Sequence, residues 1–415
     1  AIGLALALLA IALAGRKLTS RLGWTANPNG WFRRGLATVL ILVGLAVITG
    51  LDKKFQVWAL EHLPFSVTKL EEHLLPKPSS NSTEPSSKAN MEKRVNAKFS
   101  VDKPYPAPEL TGIQEWINSN AESIKALHGK VVLIDFWTYS CINCQRTLPH
   151  VTGWYEKYKD KGFVVLGIHA TEFAFEKVPE NVKKAVQDEH ITYPVALDND
   201  FATWKAYRNQ YWPAEYFIDR SGMVRHTHFG EGEYSNSEAV IQALLAENGQ
   251  TALGQIDATG DKAPVQPGQT PETYLGYERG ARFANADQYV ADHPVNYALS
   301  SQLMGSHWSL GGSWAVGPKQ TAAQQSGATL RIRYSAKEVY LVMDGPANQP
   351  VTLKLNGQAV TASQSGGSDV DSSGQLHING PRLYRLIKSA GFLKDATLDI
   401  TVPIGTTVNA FTFGG

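Results

Sequence analysis

The segment Val131 to Cys144, VVLIDFWTYSCINC, joins an apolar strand, a short loop and a Cys-x-x-Cys at a predicted helix start. It constrains the chain more than any other segment, because Cys141 and Cys144 are its only two cysteines among 415 residues. Two cysteines cannot staple a disulfide-rich scaffold, so the pair reads as redox chemistry. At a helix N-terminus, free N–H groups and the macrodipole stabilise a thiolate, which makes Cys141 the expected nucleophile with a lowered pKa. Cys144, one turn further in, is the expected resolving thiol, deeper and with a higher pKa, which attacks Cys141 to release a mixed disulfide. A c-type haem site needs His after the second cysteine, where Gln145 stands. A zinc site and an inert structural disulfide stand as alternatives. The first needs two more ligands from His128, His150, His169 or His190, none at finger-like spacing, and the second would close too small a loop to constrain the unfolded chain much.

At roughly 150 residues per domain the length predicts two to three domains. The chain starts inside an apolar run, Ala1 to Ala14, and a second run spans Gly35 to Leu51, close to the roughly 20 residues that cross a bilayer. Between them lie Arg16, Lys17, Arg21, Arg33 and Arg34 without an acidic residue, which places that loop in the cytoplasm and everything after Leu51 outside. A signal peptide with Arg33 and Arg34 as its n-region would also export the remainder. Residues 1–52 are thus read as two membrane helices, the first truncated, and 53–104, with a stretch rich in Pro, Ser and Asn at Pro76 to Lys98, as an exported tether. Residues 105–250 alternate strands (Val131 to Phe136, Val164 to Ile168, Tyr216 to Asp219, Val224 to His228) with helices (about Asn143 to Tyr158, Val178 to Glu189, Ser237 to Glu247), the pattern of a helix-covered sheet. A linker at 251–271 precedes 272–415, where alternating runs at Ala328 to Tyr334, Glu338 to Met343, Pro350 to Leu355, Leu398 to Pro403 and Asn409 to Phe413 predict an all-β sandwich of the jelly-roll kind. The net charge of +1 offers no global field for nucleic acid, so no nucleic-acid partner is expected.

On these residues the middle domain resembles the thioredoxin fold, and within it the TlpA-like exported thiol-disulfide oxidoreductases, over about Tyr105 to Gly249. The resemblance implies that Asp135 is the buried acid assisting proton transfer at Cys144. It also implies that Pro213, in YWPAEYFIDRSG, is the cis proline beside the disulfide, with Trp137 and Trp212 as supporting side chains. Glu172 falls where some TlpA-like proteins carry an active-site glutamate, and Glu176 fits almost as well.

The whole arrangement is similar to the DipZ group of DsbD/CcdA-related proteins, on the segments WTYSCINC, GIHATEFAFEK, ETYLG, SHWSLGGSWAVG, DVDSSG, PRLY and NAFTFGG. That likeness implies a relay in which cytoplasmic thioredoxin reduces a cysteine pair in a CcdA/DsbD-like membrane domain upstream of Ala1. The membrane pair then reduces Cys141 and Cys144, which pass electrons to oxidised exported proteins such as apocytochrome c. The redox-active disulfide is the only redox group implied, with no cofactor and no metal. The likeness also implies a location at the cytoplasmic membrane, with both folded domains in the periplasm or extracytoplasmic space. It gives the C-terminal domain a carbohydrate-binding-module character, with a glycan as partner and Trp308, Trp314, Tyr274 and Tyr277 as candidates for stacking on sugar. Aromatic residues inside alternating strands are also ordinary core. Asp369, Asp371, Ser373 and Gly374 begin like a calcium loop, but Gly380 occupies the position that requires Glu, so a turn is expected. The rival functions are a cell-envelope glycan-binding protein and a thiol peroxidase.

Overall fold

The computed structural model describes residues 99–415, apart from 102, 121, 248, 250–251, 258, 262–265, 366–368, 372 and 415. The two expected membrane helices and most of the tether lie outside the described residues. Among those described, no helix is long and apolar enough to cross a membrane.

The middle domain is built on β3 (Val131–Trp137), whose residues are all buried. Side chains alternate along a strand, so Val132, Ile134 and Phe136 enter one core and Val131, Leu133 and Trp137 the other. Around β3 lie β1 (Tyr105–Pro106), β2 (Trp116–Ile117), β4 (Phe163–His169), β5 (Val195–Leu197), β6 (Ala214–Ile218) and β7 (Met223–Phe229), in the order β1-β7-β6-β3-β4-β5-β2. β3, β4 and β5 run parallel, and β6 and β7 continue antiparallel. The helices are α1 (Ile142–Tyr158), α2 (Pro179–Asp188), α3 (Ala202–Ala206) and α4 (Tyr234–Ala246). α1 and α4 pack on the Leu133 and Trp137 face through Leu148, Val151, Val240, Ile241 and Leu244. The expected elements are all present, with ends moved by one to three residues. The segment read as a linker packs on this domain in part: Leu253 is buried and the Asp261 carboxylate accepts the Ser235 N–H at the start of α4.

The C-terminal domain is β-rich, with β8 (Thr273–Tyr274), β9 (Pro294–Tyr297), β10 (Trp308–Val316), β11 (Thr321–Ala323), β12 (Ala328–Asp344), β13 (Pro350–Leu355), β14 (Gln358–Ala359), β15 (Gln375–His377), β16 (Arg382–Val402) and β17 (Thr407–Gly414). Two expected strands, Ala328 to Tyr334 and Glu338 to Met343, are one 17-residue strand. The polar break between them is absorbed by register shifts against β16 between Tyr334 and Tyr340, where extra residues bend the pair without ending it. All ten strands share one hydrogen-bonded network through β12 and β16.

Candidate active site

Because β3 ends buried at Trp137, the loop that follows enters the core before it turns into α1. Thr138, Tyr139 and Ser140 are all buried. Their polar groups are met by Glu176, itself fully buried. Its Oε1 accepts the hydroxyls of Thr138 at 2.5 Å and Ser140 at 2.6 Å, and its Oε2 accepts the N–H groups of Glu172 at 2.5 Å and Phe173 at 2.9 Å. One carboxylate thus ties the loop before the cysteines to the loop after β4. Burial pushes the Glu176 carboxyl up to about 7, against the lowering effect of the Ser140, Thr138 and Phe173 hydrogen bonds. His169, at the end of β4, is driven down to about 3 by burial and is neutral. It lies 3.3 Å from the Thr138 hydroxyl and stacks on Tyr139.

Cys141 caps α1: its Sγ accepts the Cys144 N–H at 3.2 Å. Cys141 is half-buried, Cys144 is 1% exposed, and both are free thiols. Burial, then the hydrogen bond and charge of Cys141, push the Cys144 thiol well above its ordinary pKa, and the Asp135 charge adds to this. The first thiol is therefore the more accessible of the two and the second is enclosed.

Asp135 projects from β3 between Leu133 and Trp137 on the α1 side. It is 1% exposed, burial pushes it up to about 7, and its Oδ1 has no hydrogen-bond partner. The Trp212–Pro213 peptide is cis. Trp212 donates its indole N–H to Ala170 O at 3.0 Å and packs on Trp204. Trp137 is fully buried with its ring edge against His169.

Glu172 stands apart from this cluster. Its carboxylate accepts from the Tyr274 hydroxyl at 2.7 Å and pairs with Arg279 at 2.6 Å, both on the C-terminal domain. The reason is directional. Glu176 sits within a short 3-10 turn (Ala174–Lys177) and its carboxylate reaches back to the loop, whereas Glu172 precedes the turn and its carboxylate meets the C-terminal domain. The C-terminal domain packs on the motif itself, since Ile142 and Phe173 share one apolar cluster with Tyr340, Val342, Leu383 and Ala410. Arg146 of α1 bridges Glu338 at 3.0 Å and Glu231 at 3.3 Å.

The sugar-stacking expectation fails at Trp308 and Trp314. They are 2% and 0% exposed, with indole N–H groups spent on Ala281 O and Gly311 O, and Trp308 stacks on Phe283. Tyr274 lies under the Arg279 guanidinium, 3.5 Å from its ring centroid. Of the four, only Tyr277 is an exposed side chain, with its hydroxyl on Asp292. Asp371 accepts from Ser373 and Gln375 and forms the expected turn, while Asp369 pairs with Arg382.

Residues 102–227 match the AhpC/TSA family, and residues 270–414 match the Thioredoxin like C-terminal domain. The protein DipZ of Mycobacterium bovis and that of Mycobacterium tuberculosis are each 35% identical over 435 residues, covering 100% of this chain. The chain spans 58% of the length of these relatives. The thiol-disulfide oxidoreductase YkuV of Bacillus subtilis is 32% identical over 142 residues, covering 34% of this chain and 95% of its own length.

Proposed function

From a chain that is DipZ-like over its whole length and carries the domains of a thiol-disulfide oxidoreductase, we propose that Cys141 and Cys144 reduce disulfides in exported proteins with electrons from a membrane domain. The observation that carries this is the asymmetry of the pair: a half-buried Cys141 sulfur at the start of α1, over an enclosed Cys144 thiol. The Cys141 thiolate attacks a substrate disulfide, forming one S–S bond and expelling the first substrate thiolate. Cys144 loses its proton, attacks Cys141 and expels the second thiolate, which leaves the protein oxidised and the substrate as two thiols. A membrane cysteine pair, itself reduced from the cytoplasm by thioredoxin, then restores Cys141 and Cys144. The two apolar runs before residue 52 anchor the chain in the cytoplasmic membrane with both folded domains on the extracytoplasmic side. Cytochrome c maturation and repair of misoxidised proteins are the processes this serves.

The test is a redox titration of the full chain in glutathione or dithiothreitol buffers, read by the mass shift of alkylated thiols, with Cys141→Ala as control. A potential near or below about −220 mV makes the pair a reductant, and one near about −120 mV a disulfide donor. In parallel, Cys144→Ala should trap a mixed disulfide on Cys141. The absence of any reversible two-electron couple overturns the proposal and moves the function to the C-terminal domain.

A further inference from the structure

Behind the cysteines the sheet carries titratable side chains that the exchange steps above leave unused. Asp135 on β3 is directly opposed by Glu215 on β6, and Glu215 by His228 on β7, in two antiparallel ladders. Directly opposed residues project from one face with Cβ atoms about 5 Å apart. The three therefore form a row across three strands, on the face covered by α1 and α4. Glu215 is 0% exposed and takes one hydrogen bond, from the Ser237 hydroxyl of α4 at 3.1 Å. Asp135 Oδ1, Glu215 Oε1 and His228 Nε2 are all buried without a hydrogen-bond partner. An unpaired buried polar atom costs stability and calls for a reason; here three fall in one line.

The surroundings of the row are uncharged or acidic. On the other side of Asp135, β4 presents Gly167, which has no side chain to bring a cation there. The titratable and polar groups facing the row are Cys144 from α1, Tyr234 and Ser237 from α4, Tyr193 ahead of β5, and His226 of β7 and Glu233 beside His228. Its far end is wet. His228 lines a surface cleft of ≈ 480 Å³ with Ser100, His226, Asp261 and the exposed Glu233.

We propose that Glu215 and His228 complete a proton exit from the resolving thiol: Asp135 takes the Cys144 proton, Glu215 accepts it across the ladder, and His228 delivers it to water in the cleft. This deepens the disulfide-reductase reading and rests on it. The balance is one proton out through the row for each resolution. The Cys144 thiolate bonds to Cys141, the bond from Cys141 to the substrate breaks, and the departing substrate thiolate takes its proton from water. Burial holds Asp135 up to about 7 and Glu215 up to about 8, with the Asp135 charge adding at Glu215. Near neutral pH the pair therefore binds about one proton. Burial also pulls His228 down, so it stands neutral and able to accept.

The experiment is stopped-flow reaction of the reduced full chain with 5,5′-dithiobis(2-nitrobenzoate). Its first thionitrobenzoate release reports attack by Cys141 and its second reports resolution by Cys144, with no third thiol to interfere. Glu215→Gln and His228→Ala should each slow the second release about tenfold or more at pH 7, the low end of proton-transfer effects, with the first release unchanged. Added imidazole should restore the second release in His228→Ala. Wild-type second releases in both variants, with Asp135→Asn alone slow, would mean that Asp135 empties directly to water and would overturn the route. Slowing that imidazole does not relieve, with an unshifted pH profile, is loosening of the fold and overturns it as well. If Glu215→Gln does not fold by circular dichroism, the partly exposed His228→Ala variant decides. Failure of both releases in the unsubstituted chain would instead refute the reductase reading.

Discussion

Glu215→Gln also isolates what a buried carboxyl does to stability. A carboxyl whose pKa is raised on folding holds its proton more tightly in the folded chain. Its stabilising contribution is therefore full below the unfolded pKa and is lost as pH climbs toward the folded one. For Glu215 the window runs from the ordinary 4.5 to about 8. At about 1.36 kcal/mol per pH unit, with partial titration at both ends, the loss between pH 5 and pH 8 is about 3 to 4 kcal/mol. Glutamine has nearly the shape of protonated glutamate and does not titrate. The variant should match the wild type within about 1 kcal/mol at pH 5, where both side chains are neutral. It should be the more stable of the two at pH 8, by the amount just worked out. Urea unfolding at pH 5, 6, 7 and 8, followed by tryptophan fluorescence, measures the difference between the two proteins at each pH. Parallel pH curves would refute the reasoning, because they would mean that Glu215 titrates alike in both states. A variant weaker at pH 8 would mean that its carboxylate is satisfied by groups other than Ser237.

Glu176→Ala should cost about 3 kcal/mol or more, since it leaves two buried hydroxyls and two N–H groups without their acceptor; thermal melts check this, and a loss under about 1 kcal/mol would mean that water replaces the carboxylate. Arg146→Ala and Glu338→Ala should couple by about 0.5 to 1 kcal/mol in a double-mutant cycle, because the pair is only partly buried. The same variants should speed proteolysis between residues 251 and 271 if the Arg146 contacts hold the domains together, and unchanged cleavage would count against that. Trp308→Ala should destabilise the C-terminal domain by about 3 to 5 kcal/mol, as for a buried large side chain, while thionitrobenzoate release stays at wild-type rates. Tyr277→Ala is the variant that glycan-array binding should read, and wild-type binding by it would end the sugar role for these four aromatics.

What could be read along the chain was whatever depends on near neighbours. The run VVLIDFW is apolar enough to be buried on both faces, and the cysteines follow it at a helix start. The place of Cys141 at the helix start and of Cys144 one turn in was therefore legible before any packing was known. The place of Asp135 was legible for the same reason, since strand alternation puts it on the α1 side with Leu133 and Trp137. Residue type favoured core for Trp308 and Trp314, but alternation alone did not settle it, because a period of two names a face without saying what covers it. The same limit split β12 in two, as a bulge and a turn look alike in sequence.

The chemistry of this protein was thus determined by a local pattern, an apolar strand running into Cys-x-x-Cys, because the helix start and the depth of the second thiol follow from it. Only the tertiary structure decided which distant groups lie around that motif. Glu176 rather than Glu172 meets the loop, the C-terminal domain covers Ile142, and Glu215 and His228 fall in line with Asp135. Cross-strand register and burial arise from packing between segments far apart in the chain, and a shift of one residue in register would send each of those side chains to the opposite face.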